Sequence, residues 1–176
     1  MSERPKFWGK YQGTVINNID PELRGRLQVM VPDVTGLLPS TWAEACAPLA
    51  GPTGPPMGVY LVPPIGAGVW VEFEHGDANR PIWVGCRWGS QADIPALAKA
   101  GLPVSPSIVL QTAGQNTIVI SDVPGAAGGI MIRSGASTLM VNQQGITLIA
   151  PKVDITAASI NLVGITDINQ GALKVT

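Results

Sequence analysis

GITLIAPKVDITAASINLVG, residues Gly145–Gly164, repeats every seven positions. Ile146, Val153 and Ile160 fall in one column; Leu148, Ile155 and Leu162 fall in another. Two structures count in sevens: two turns of a coiled-coil helix, or a short strand plus a turn. Pro151 sits inside the register, where a helix interior loses roughly 3 kcal/mol or more. Val, Ile and Thr dominate the stretch, and they prefer pleated backbone. The flanking charges of a coiled coil are missing. The repeat therefore reads as strand plus turn.

Upstream, the same alternation recurs as Ile118/Ile120, Ile130/Ile132, Leu139/Val141, Ile146/Leu148, Val153/Ile155 and Ile160/Leu162, the step shrinking from twelve to nine to seven. Gly, Ala, Ser, Asn and Gln fill the gaps, as tight corners require. This is the pattern of a β-helical array whose coils become more regular towards the C-terminus. Six such units make only about two three-sided coils, below the ~3 repeats that bury a continuous core. Each aliphatic contributes roughly 1.5–3 kcal/mol only when fully buried. Three chains wound round one axis meet that need and pair the exposed strand edges. The expectation is an obligate homotrimer with these twelve side chains at its core.

Composition divides the chain. All nine aromatic residues lie between Phe7 and Trp88. From Gly101 onward there are none, and the only charges are Asp122, Arg133, Lys152, Asp154, Asp167 and Lys174. The Pro- and Gly-containing stretch GSQADIPALAKAGLPVSP between the halves reads as a linker, with one helical turn in IPALAKA. The expected domains are 1–89, a linker at 90–106, and 107–176. Net charge is −1, which gives no electrostatic grip on nucleic acid or anionic lipid. The polar start MSERPKFWGK has no apolar core of a secretory signal, and no stretch approaches the ~20 apolar residues of a membrane-spanning helix. Cys46 and Cys86 read as small buried residues of a protein made in a reducing compartment.

The N-terminal part reads as a small all-β barrel. KYQGTVINN is a first strand, DPELRG a turn, and RLQVMVP a second strand with Leu27, Val29 and Val31 on one face, stopped by Pro32. WAEACAP is a short third strand. In GAGVWVEFEHGDANRPIWVGCRWG a hairpin is expected, with Val69, Val71 and Phe73 sharing a face opposite Trp70, Glu72 and Glu74. LAGPTGPPMGVYLVPP is too rich in Pro and Gly for regular structure throughout. About five strands without a convincing helix fit an OB-type barrel, and an SH3-like barrel fits the pattern as well.

Three stretches resemble a known family: GKYQGTVINNIDPELRGRLQVMVPDV (9–34), WAEACAPLAG (42–51) and PPIGAGVWVEFEHGDANRPIWVGCRWG (63–89). They are similar to the OB-fold domain of the phage baseplate assembly protein V and VgrG spike family. That resemblance implies an OB fold followed by an intertwined trimeric β-helix, the central spike of a contractile injection machine. It implies a homotrimer docked on a baseplate hub protein, joined to the inner tube through that hub. The target membrane is touched only on firing. Such a spike is made in the bacterial cytoplasm and incorporated in a phage tail or injection particle. Some relatives end in a His-x-His apex that holds iron. Here the only histidine is His75 and the chain ends TDINQGALKVT, so no metal site carries over and a separate PAAR-type tip protein is the expected substitute.

Glu72, Glu74, His75 and Asp77 cluster along the second hairpin, but alternating Glu on a half-exposed strand is an ordinary solvated face. Asp77 and Arg80 more simply shape the turn. No phosphate loop, metal-ligand spacing or nucleophile elbow occurs, so neither catalytic residues nor a cofactor are expected. Trp70, Trp83 and Trp88 could stack bases as other OB folds do. Residues 1–100 carry eight Lys/Arg against nine Asp/Glu, however, so a nucleic-acid partner is not expected.

Overall fold

The computed structural model describes residues 5–51, 55–100, 104–125 and 128–164. The chain forms two compact units, Met1–Ile94 and Pro95–Thr176.

The first unit is built on strands β1 (Tyr11–Asn17), β2 (Gln28–Met30), β3 (Glu44–Ala45), β6 (Gly68–Phe73) and β7 (Pro81–Arg87), in the spatial order β2-β1-β6-β7-β3. All neighbours are antiparallel except β3 and β7, which run parallel. Leu27 and Ala43 exchange two backbone hydrogen bonds, of 3.1 and 2.7 Å, just ahead of β2 and β3. That bridge joins the two edge strands, and the curled sheet closes into the five-stranded barrel of an OB fold. A one-turn helix, α1 (Pro32–Thr35), follows β2 and begins on the proline that ends the strand. A two-stranded pair, β4 (Ala50–Gly51) with β5 (Met57–Gly58), is the regular structure inside the Pro/Gly-rich stretch.

Alternation decides the barrel core. Leu27, Val29 and Val31 from one strand and Val69, Val71 and Phe73 from another point inward with Val15, Ala43 and Trp83. Phe7 and Tyr11 pack on Phe73 at one end, with ring centroids 5.6–6.2 Å apart. At Gly13 the interior is too close for a side chain: a Cβ would stand 3.0 Å from Val71 Cγ2. The cysteine expectation is corrected. Both thiols are free and exposed, Cys46 just after β3 and Cys86 near the end of β7.

The second unit begins with a 3-10 turn at Ala96–Lys99, where a helical turn was expected. Strands β8 (Ile108–Gln111), β9 (Thr117–Ser121), β10 (Gly129–Ser134), β11 (Ser137–Asn142) and β12 (Gly145–Ile149) follow. They pair in the order β12-β11-β10-β9-β8, every pair antiparallel. Within one chain the strand-plus-turn units thus reverse direction at each corner, as a meander, rather than advancing as coils; any winding about an axis belongs to the assembly of several chains. The step of twelve spans the longer β9–β10 connection; the next two turns are both two residues long, and the step falls from nine to seven because the aliphatic pairs lie nearer the β11–β12 turn. On one face of this sheet Leu97 and Ala100 border a cleft of about 210 Å³ with Val119, Met131 and Met140. None of the described residues 150–164 is in a strand. The terminal sequence TDINQGALKVT, on which the apical-metal expectation rests, lies outside the described residues.

Candidate assembly interface

The other face of the meander gathers the aliphatics singled out by their spacing. Ile120 stands opposite Ile130, Ile130 opposite Val141, and Val141 opposite Ile146. One step along the strands, Ile118 faces Ile132, Ile132 faces Leu139, and Leu139 faces Leu148. Two residues absent from the sequence expectation complete these rungs: Ile108 pairs with Ile120, and Leu110 with Ile118. The alternation of SIVLQT could have revealed them; its ten-residue step to the next pair broke the series. The result is a flat face with two parallel rows of five aliphatic side chains.

The described residues leave this face open. Ile118, Ile120, Ile130, Ile132, Val141, Ile146 and Leu148 are between 38 and 74% exposed, whereas the barrel interior is at or near zero. Leu139, between Ile132 and Leu148 in its row, is half-buried. No charged residue stands on either row: Arg133 alternates to the opposite face, beside Met131. A contiguous apolar surface of this extent marks an interaction site. Val153, Ile155, Ile160 and Leu162 are likewise exposed, outside the meander.

The candidate chemistry of the barrel resolves into structural contacts. Glu72 pairs with Lys10, and Glu74 with Arg80 at 2.6 Å. Asp77 Oδ1 accepts from the Asn79 backbone N–H at 3.0 Å, and the Arg80 N–H donates to the Asp77 carbonyl, which fixes the turn. His75 is exposed and adopts a left-handed φ of 53° at the corner. Among the described residues no three His, Cys, Asp or Glu side chains are gathered as metal ligands. Of the three tryptophans, Trp83 is buried and donates its indole N–H to the Gly25 carbonyl at 3.0 Å, Trp70 is half-buried and Trp88 is exposed.

One cluster escaped the sequence reading. Asp20, in the β1–β2 loop, is buried and accepts backbone N–H bonds from Glu22, Arg24 and Arg26 at 2.8–3.2 Å. Arg26 adds two guanidinium bonds to the same carboxylate and lies 5.6 Å over the Trp42 ring. Its guanidinium holds the Asp20 carboxyl well below the usual carboxylate range. Arg24 bridges Glu22 and Glu44, tying the loop to β3.

A search among curated proteins finds no match to this chain. Two family models do match. Residues 11–88 match the type VI secretion system/phage-baseplate injector OB domain, and residues 107–174 match the phage baseplate V C-terminal trimerisation domain. The second match contains every residue of the two aliphatic rows, so the unpartnered face lies within a trimerisation domain. With one match on each unit and most of its length accounted for, the chain belongs to the phage baseplate V family of structural baseplate proteins.

Proposed function

We propose that three copies of this chain form the central spike of a contractile injection particle. The observation that carries the reading is the double row of aliphatics left open by a single chain, within a domain matched to trimerisation. Three such faces turned inward make a stiff prism with a dry centre. The OB barrels dock on a baseplate hub, which connects them to the inner tube, and a PAAR-type protein tips the other end. Sheath contraction then drives the prism into the target envelope. The protein works by rigidity: its role requires neither a catalytic residue nor a cofactor. The particle is a phage tail or a related injection device, loaded with a spike made in the bacterial cytoplasm.

The test removes residues 107–176. Light scattering is expected to give a trimer for the full chain and a lower mass for the deletion. Particles carrying the deletion should contract without penetrating target cells. Undiminished penetration by such particles would refute the mechanical role. Intact penetration with loss of a co-purifying tip protein would point instead to an adaptor that presents cargo.

A further inference from the structure

We infer that the turn Ala96–Lys99 is a clasp. It fastens the linker to the second unit on the face opposite the aliphatic rows, and Leu97 closes it. Load that arrives along the linker then reaches the middle of the sheet instead of peeling away its edge strand. The first matched domain ends at residue 88 and the second begins at residue 107, so neither match accounts for this turn. The use assigned to the clasp rests on the spike reading; the contact itself does not.

The pattern of side chains on that face carries the first part. One row across neighbouring strands is polar: Gln111 pairs with Thr117, Thr117 with Arg133, and Arg133 with Thr138. Two residues along each strand, the next row is apolar: Val109 pairs with Val119, Val119 with Met131, and Met131 with Met140. It turns polar again at Thr147. Leu97 is the one large apolar side chain in PALAKA, and it borders a cleft with Val119, Met131 and Met140. Val119 is only 8% exposed; among the described residues it is the one large apolar side chain that the second unit buries within a single chain. The hydrophobic packing that one chain completes by itself in this unit is therefore against the linker, not on the aliphatic rows.

Strand order carries the second part. The linker leads into β8, an edge strand whose one neighbour in the sheet is β9. Ile108 and Leu110 of β8 are 62 and 59% exposed, so burial holds this strand weakly. A weakly buried edge segment is where local opening begins. Load entering at its end would break the β8–β9 hydrogen bonds one after another. Leu97 instead meets side chains of β9, β10 and β11, so the clasp passes β8 by. The linker is folded up to that point. The Ala92 N–H donates to Ser90 Oγ at 3.2 Å, and the Ser90 N–H donates to Asp93 Oδ2 at 2.7 Å. Pro95 then starts the clasp, whose Ala98 and Ala100 N–H groups donate to the Pro95 and Leu97 carbonyls at 3.0 and 3.3 Å. Residues 90–100 form two consecutive turns and not an open tether.

Trypsin reads the clasp directly, because Lys99 is the only Lys or Arg between Arg87 and Arg133. In the native full-length protein, cleavage after Lys99 is expected to be roughly tenfold or more slower than in L97S or V119S. Arg133, in β10, should stay uncut in all three, and light scattering should give all three the same mass. A monomeric mass for wild type would refute the trimer reading and leave the clasp standing. A96S, an exposed change in the same turn, should be cut as slowly as wild type. Equal rates for wild type and L97S overturn the inference. Hydrogen exchange of the native proteins tests the use of the clasp: in L97S the amides of β8 should lose protection severalfold while those of β10 keep theirs. An L97S protein whose β8 stays fully protected overturns the role given to the clasp. Should both variants unfold, which cleavage at Arg133 would reveal, wild type decides alone. Its Ala98 and Ala100 amides should exchange roughly tenfold or more slowly than those of an unstructured peptide, and exchange at the peptide rate overturns the inference.

Discussion

Arg26 grips Asp20 with two guanidinium hydrogen bonds, of 2.7 and 3.1 Å, at the mouth of the barrel. The carboxylate is buried, and three backbone N–H groups also donate to it, so the β1–β2 loop is folded around one charge. Hydrogen bonds to the ionised form lower a carboxyl pKa and couple it to stability. Because the folded value is depressed, the stabilisation is present above the unfolded value of about 4 and is lost as pH falls through the folded one. D20N should therefore lower the unfolding midpoint by several degrees at pH 7, and by less at pH 2.5. Tryptophan fluorescence reads this unit alone, since all the tryptophans lie in it. A midpoint at pH 7 equal to wild type would contradict the role given to this carboxylate.

Gly13 is fixed by contact. A methyl group there would press on Val71 Cγ2 at 3.0 Å and Val69 Cγ2 at 3.4 Å, both in the closed core. G13A should cost about 1–3 kcal/mol, the usual penalty of overpacking, although alanine is the better strand former. G13V should cost more. Urea titration followed by tryptophan emission checks the order; a G13A barrel as stable as wild type would show that β1 can shift away.

Much of this fold is written in alternation. Val69, Val71 and Phe73, and Leu27, Val29 and Val31, declare a buried face because a strand sends every second side chain the same way. Four of the six aliphatic pairs of the C-terminal unit likewise share one face of the sheet, although that face is exposed in a single chain. Their connectivity was less legible: a seven-residue step suits a coil corner and a hairpin equally, and only Gly135 and Gly145 favour reversal. The Asp20 clamp was hidden because DPELRG reads as a turn whichever way its carboxylate points. Cys46 and Cys86 misled because residue type suggests burial, whereas both stand near strand ends and are exposed.

Trp83 closes the barrel with its ring and its N–H. The ring fills the core beside Ala43, and the N–H reaches the Gly25 carbonyl across the seam. W83F keeps most of the apolar volume and leaves that carbonyl without its partner. The expected loss is about 1–3 kcal/mol, the cost of stranding a buried polar group. W83A should cost about 3–5 kcal/mol, since it also opens a cavity. Equal losses for the two variants would mean that the hydrogen bond contributes nothing.

Ile132 sits in the middle of its row, between Ile118 and Leu139, 47% exposed in one chain. If the aliphatic rows meet at the axis, I132D brings three carboxylates together where no water or counter-charge reaches. Burying an unpaired charge costs several kcal/mol even after relaxation, and the three repel one another. The variant should lose the trimer and run near the 18.3 kDa of a single chain in light scattering, with the tryptophan spectrum of the barrel unchanged. I155D, further along the same repeat, should act likewise. R133E is the control, because Arg133 alternates to the opposite face, beside Met131. It introduces a charge change of the same sign one residue away and should leave the mass of the trimer intact. The contrast between neighbours separates a directed interface from a general effect of negative charge. An I132D protein that stayed trimeric with an unchanged melting curve would place the rows on the outside of the spike.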